Sequence, residues 1–203
     1  RSYHMDNIII LATNNKSKVK EISEMMSGSD ITFESLADAG INVEVEETGT
    51  TFEENALLKA REICKLSGKP TISDDSGLEI DALDGAPGIY SSRFMGEDTS
   101  YDIKNNALIE KLENVADPDR TARFRCCMAL VLPDGREFVT EGAMEGIIAR
   151  EPKGINGFGY DPILFIPEYN RTSAELSSEE KNNISHRGEA LRKMIEVIKK
   201  ELN

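Results

Sequence analysis

The longest β-like stretch of this 203-residue chain runs from Thr121 to Leu132, and Pro133-Asp134-Gly135 turns it back onto Arg136 to Glu141. An Asp-Gly turn between two such runs is a strong hairpin signal, so any fold for this chain must accommodate a long antiparallel pair. Upstream, Asn7 to Ala12 reads as a short strand, and Val19, Ile22, Met25 and Met26 then keep helical spacing. Downstream, Ala190, Leu191, Met194, Ile195, Ile198 and Leu202 mark one face of a last helix, with Ser185 as its N-cap candidate. Strand–helix units on either side of a hairpin predict one mixed α/β unit.

The intervening segments fit that frame. Asn42 to Val45 reads as a strand leading into Glu46-Glu47. Thr51 and Glu54 make a capping box for a helix whose apolar face is Ala56, Leu57, Ala60, Ile63 and Cys64, ended by Gly68 and Pro70. Thr71-Ile72 is a short strand running into a turn, Ser73 to Gly77, after which Leu78, Ile80 and Ala82 alternate as an edge or hairpin strand. A loop, Gly85 to Gly88, precedes a helix bearing Ile103, Ala107, Leu108 and Leu112. Gly142 to Arg150 extends the sheet, and the Gly-rich Lys153 to Asp161 leads to a strand at Ile163 to Ile166. No linker, repeat or low-complexity tract interrupts residues 6–203. They are expected to form one domain in which the hairpin-rich part makes a second lobe, while Arg1 to Met5 resembles an expression scar before a start at Met5.

Charge narrows the partners. Twenty-four basic against 37 acidic residues leave −13 at neutral pH. Such a surface repels nucleic acid and acidic lipid alike, yet a small anion can still bind where lysines or a divalent metal reverse the local sign. Cys64, Cys126 and Cys127 have neither zinc spacing nor an even disulfide set, and read as inert thiols of a reducing cytoplasm. No apolar run approaches the roughly 20 residues needed to span a bilayer. The chain is therefore read as a cytoplasmic protein without membrane or nucleic-acid partners.

Five clusters can carry chemistry. Asp74 and Asp75, with Glu46 and Glu47, are carboxylates at expected strand ends, suited to a hard divalent cation that takes one or two carboxylates plus phosphate and water. They serve equally as turn-capping acids. Thr13-Asn14-Asn15-Lys16-Ser17-Lys18 lacks the glycines of a P-loop but rings a helix N-terminus, where the dipole favours phosphate; a polar N-cap with solvated lysines is the plainer alternative. Lys59 shares a helix face with Asn55, one turn earlier, and on its own reads as a solvated lysine. In Gly157-Phe158-Gly159-Tyr160-Asp161-Pro162 two glycines permit close backbone approach, and Phe158 or Tyr160 can stack on a flat base or simply anchor the loop. Ser185-His186-Arg187-Gly188 offers hydrogen-bond donors at the start of the last helix.

Six segments in register resemble the inosine triphosphate pyrophosphatase family. They are Ala12 to Lys18, Glu46 to Ala56, Ser73 to Gly77, Gly85 to Arg93, Gly157 to Pro162 and Ser185 to Leu191, and the match runs from about Ile8 to Leu202. The resemblance implies a long twisted mixed sheet flanked by helices, two lobes with a central cleft, and a homodimer. It implies Mg²⁺-dependent cleavage of ITP, dITP and XTP between the α- and β-phosphates. Asp75 then looks like the general base and, with Glu46 and Glu47, a magnesium ligand. Thr13, Asn14, Asn15, Lys16, Ser17, Lys18, Lys59 and Ser76 resemble triphosphate contacts. Phe158, Gly159, Tyr160, Asp161, Lys181, His186 and Arg187 resemble the base pocket. Two departures, Ser17 for a common glycine and Ser92 for a usual alanine, touch only local loop geometry. A septum-formation-type pyrophosphatase for modified nucleotides, or a non-catalytic nucleotide-binding protein, would be the alternatives.

Overall fold

The computed structural model describes residues 8–202. Arg1 to Met5, expected from the sequence to be an expression scar, and Asn7, the expected start of the first strand, lie outside the described residues. The chain opens with β1 (Ile8–Leu11), α1 (Lys16–Met26), β2 (Thr32–Ser35), α2 (Phe52–Ser67) and β3 (Thr71–Ile80). After α3 (Tyr101–Lys111) come the hairpin strands β4 (Thr121–Val131) and β5 (Glu137–Ile148). β6 (Leu164–Ile166), β7 (Arg171–Thr172), α4 (Ser178–Ile184) and α5 (His186–Glu201) complete it. The seven strands form one sheet in the order β2-β1-β3-β4-β5-β6-β7. β1 runs parallel to β2 and β3, whereas β6 is antiparallel to β5 and β7, so the sheet is mixed, as expected.

The chain divides into two compact units. The first takes in the described residues up to Asp75, Cys126–Glu141 and the chain from Ala190 onward; the second is Ser76–Arg125 with Gly142–Glu189. In the first unit, alternation along β1 sends Ile9 and Leu11 into one core with Ile22, Met26, Met128, Leu130, Leu191 and Met194. Ile10 and Ala12 go into another core with Leu36 and Ile63. β1 is therefore buried on both faces, which explains its uninterrupted apolar sequence. The second unit has its own core of Leu78, Ile80, Leu108, Phe124, Met144, Tyr160 and Leu164.

Caps set the helix limits. Asn15 Oδ1 accepts from the Ser17 and Lys18 amides and starts α1. Thr51 Oγ1 accepts from the Glu54 amide at the head of α2, which ends at Gly68 in the left-handed conformation (φ 67°). Ser185 Oγ accepts from the Gly188 amide at the start of α5, fulfilling its expected role. The Glu54 carboxylate accepts chiefly from Thr50, one residue upstream of the cap, with the Thr51 amide a weaker donor to it.

Two readings are corrected. Asn42 to Val45 forms no strand; Asn42 to Glu44 is exposed, and without a pairing edge a β-prone run stays irregular. The edge strand is instead Thr32–Ser35, whose single large apolar residue, Phe33, packs on the first core. Ser73 to Gly77 is not a turn. It lies inside the ten-residue β3, between β1 and β4. Ser, Asp and Gly are turn formers in isolation, but here the segment continues a strand that pairs with β1 at Thr71 and Ile72 and neighbours β4, and its backbone stays extended.

All three thiols are free and buried, and burial pushes Cys127 up to about 12, so it stays protonated and unreactive at neutral pH. Among the described residues no helix is long and apolar enough to cross a membrane.

Candidate active site

Because Asp74 and Asp75 are consecutive in β3, their side chains point to opposite faces of the sheet and meet different company. Asp74 is fully buried; its Oδ1 lies 3.3 Å from Lys18 Nζ, and Cys126 Sγ approaches Oδ2 at 3.8 Å. Asp75 Oδ1 lies 3.6 Å from Lys59 Nζ. That ammonium also contacts Glu47 Oε1 at 3.0 Å and donates to the Asp74 carbonyl at 2.6 Å. The Lys59 side chain is only 14% exposed, which decides between its two sequence readings: it is not a solvated lysine. Burial draws its pKa down, but Asp75, Glu47 and Asp74 together outweigh that and hold it above the ordinary value.

Asp75 goes the other way. Burial raises its carboxyl from 3.8 to about 6, and neighbouring Glu47 and Asp74 add to the rise, against the pull of Lys59 and Lys18. Its Oδ2 is buried and has no hydrogen-bond partner. A carboxylate with one satisfied oxygen and one bare buried oxygen is equipped to take a water proton or a hard cation. The Ser73 hydroxyl, donating to the Ala56 carbonyl of α2, ties this part of β3 to the helix that carries Lys59.

Among the metal candidates, Glu47 is half-buried and engaged with Lys59, while Glu46 is exposed. Among the described residues no three or more His, Cys, Asp or Glu side chains gather as a self-sufficient metal cage. Mg²⁺ does not need one, since phosphate and water complete its shell. Glu47 and the bare Asp75 oxygen fit a cation that arrives with its anion.

Thr13 to Lys18 occupies the turn into α1. Thr13 Oγ1 accepts from the Asn15 amide, and Asn15 is committed to capping. Asn14 and Lys16 are exposed, and Ser17 is half-buried. The segment therefore offers a helix N-terminus with cationic side chains beside it, of which Lys18 leans inward onto Asp74.

The second unit holds the remaining candidates. Ser76 Oγ accepts from Arg187 Nη2 at 2.9 Å. The Arg187 guanidinium stands 5.6 Å, and the Lys181 ammonium 4.9 Å, from the centre of the Phe158 ring. His186 packs on Phe124 with ring centroids 5.1 Å apart. Asp161 is a clasp: it accepts from the Phe158 amide (2.8 Å), Ser173 Oγ (2.7 Å) and Lys181 Nζ (2.7 Å). A β-carbon on Gly157 would come within 2.2 Å of the same carboxylate, and Gly157 is left-handed (φ 70°), so glycine is required there. Tyr160 is buried, with its hydroxyl donating to the Ser91 carbonyl and its ring edge-on to Tyr101. It anchors the loop, and Phe158 and Gly159 are the more open members. Sequence reasoning missed the Asp74–Lys18 pair, Ser173 and Ser91. Asp74, Lys18 and Ser91 lay inside segments already singled out, but Ser173 did not.

Buried acids paired with lysines on one strand of an open mixed sheet, beside a helix N-terminus, define a protein equipped to handle a polyphosphate with a cation. The Ham1 family model matches residues 9–197, and the chain belongs to that family. The resemblance drawn from the six motifs is thereby borne out. A dITP/XTP pyrophosphatase of Desulforamulus reducens is 49% identical over 94% of both chains. Another from Exiguobacterium sibiricum is 52% identical over 92% of this chain and 94% of its own. Among solved structures, a HAM1 protein from Coxiella burnetii superposes with a TM-score of 0.86 at 44% identity, covering 95% of this chain and 98% of its own. The Staphylococcus aureus Ham1 protein gives 0.85 at 40%, over 96% and 99%.

Proposed function

We propose that this chain hydrolyses noncanonical purine nucleoside triphosphates (ITP, dITP and XTP) to the monophosphate and pyrophosphate, clearing them from the nucleotide pool. The observation that carries the reading is Asp75, a buried carboxylate beside Lys59 with one oxygen unused and a pKa raised to about 6. The names and near-complete coverage of its half-identical relatives support the same reaction.

Asp75 orients a water and takes its proton; with its pKa near 6 it is mostly ionised at neutral pH yet basic enough to act. Glu47 and Asp75, with Glu46 nearby in sequence, would hold Mg²⁺, which when bound neutralises phosphate charge and acidifies water. Lys18 and Lys59, with Thr13, Asn14, Asn15, Lys16 and Ser17 at the α1 N-terminus and Ser76 next to Asp75 in sequence, hold the triphosphate and the departing pyrophosphate. Asp74 keeps Lys18 oriented.

The base is read in the second unit by Phe158, Gly159, Tyr160, Asp161, Lys181, His186 and Arg187. Inosine and xanthosine present a 6-keto acceptor where adenosine presents an amino donor. Donors from Lys181, His186 or Arg187 pair with the first and are left unpaired by the second, which produces strong discrimination. Guanine shares the 6-keto group, so its 2-amino group must also be sensed. In this reading the protein works as a cytoplasmic homodimer, to be checked by sedimentation. A nucleotide panel of ITP, dITP, XTP, GTP and ATP, scored for monophosphate and pyrophosphate with and without Mg²⁺, tests substrate, reaction and cofactor together. Equal kcat/KM for ATP and ITP would refute the pocket assignment.

A further inference from the structure

The segment that carries Glu47 is stitched to the head of α2 at three consecutive residues. The Gly49 amide donates to Asn55 Oδ1 at 2.8 Å, the Thr50 amide to Glu54 Oε2 at 2.6 Å, and Thr51 caps the helix. Of these anchors only Asn55 is fully buried. The fit at Gly49 is close: a β-carbon there would meet Asn55 Oδ1 and Glu54 Cβ, both at 2.7 Å. Because the Gly49 amide demands an acceptor, the Asn55 oxygen must face it, and the amide nitrogen turns the other way. That Nδ2 is buried and has no hydrogen-bond partner. A buried donor left unpaired destabilises a fold, so stability alone does not account for an asparagine here. One turn later on the same helix face, Lys59 binds Glu47 itself.

We propose that Asn55 is a positioning residue for the metal-assisted reaction: by clamping Gly49 it fixes the backbone two residues from Glu47 and, with Lys59, aims that carboxylate. The inference rests on the assignment of Glu47 as a metal ligand. Outer residues that orient ligands typically change metal affinity by about 10- to 100-fold when lost. Asn55→Leu removes the acceptor, Gly49→Ala forces the two apart from the other side, and Asn55→Asp keeps an oxygen for the Gly49 amide.

Mn²⁺ binding to the full chain, followed by electron paramagnetic resonance of the free ion, reads the effect without turnover. Half-saturating Mg²⁺ in pyrophosphate release reads it again, with circular dichroism as the folding control. Glu47→Gln, Asn55→Leu and Gly49→Ala are each expected to weaken metal binding by about 10-fold or more, with kcat at saturating Mg²⁺ largely retained in the last two and Asn55→Asp closer to the unmodified protein. Should Asn55→Leu not fold, Gly49→Ala and Asn55→Asp carry the comparison. If Glu47→Gln weakens the metal while Asn55→Leu and Gly49→Ala do not, the positioning role is overturned and the Glu47 assignment stands. If Glu47→Gln itself has no effect, the assignment fails and the role of Asn55 with it.

Discussion

Asp75→Asn is expected to make the protein more stable while removing its activity. Burial lifts the Asp75 carboxyl from 3.8 to about 6, so ionising it costs more in the folded than in the unfolded chain. Two pKa units correspond to roughly 3 kcal/mol. Since the folded pKa is the higher one, the native state is favoured while the group is protonated. That advantage disappears as pH rises from about 4 through 6. Asparagine imitates the protonated acid at every pH. Loss of attraction to Lys59 is already contained in the net shift, and allowing for local relaxation, a gain of about 1–3 kcal/mol at pH 8 is expected. For a chain of this size that raises Tm by roughly 3–10 °C. Thermal unfolding with EDTA and without nucleotide would measure it at pH 8, 6 and 4, with the difference shrinking towards zero at the acid end. A variant less stable at pH 8, or a difference independent of pH, would refute the electrostatic account of Asp75.

Other perturbations follow from the same geometry. Lys59→Met removes the cation that holds Asp75 down, so the acid limb of the kcat/KM–pH profile should move upward from about 6; an unmoved limb would count against Asp75 as the base. Asp161→Ala breaks a buried pair with Lys181 and releases the Phe158 amide and Ser173. It should cost about 3–5 kcal/mol in urea unfolding and raise KM for ITP, whereas a neutral substitution would contradict the clasp. Removing metal with EDTA should abolish turnover and added Mg²⁺ restore it; activity that survives chelation would contradict the metal assignment.

What could be read from the chain alone follows the range of the forces involved. α2, α5 and the β4–β5 hairpin were legible because Thr51, Ser185 and Asp134-Gly135 act locally, within a turn of their own position. β2 was not, since Thr32–Ser35 carries one large apolar residue and owes its pairing to β1. Asp74 and Asp75 stand out as candidate acids, yet Ser73 to Gly77 reads as a turn, because the burial that accompanies its extended backbone comes from distant strands. The same burial gives Asp75 its raised pKa, so the feature that misled the backbone reading is the one that makes the residue useful. Lys59 looked like any surface lysine. Its three partners come from segments 12 to 16 residues away, and no spacing rule links them.

The reaction itself can be tested by following ITP hydrolysis with ³¹P nuclear magnetic resonance in Mg²⁺. Inosine monophosphate and pyrophosphate should appear in equal amounts, with no inosine diphosphate or free phosphate at any time, and neither product should form with Asp75→Asn. Release of phosphate with accumulation of the diphosphate, or ordinary turnover by a folded Asp75→Asn protein, would contradict the proposed reaction.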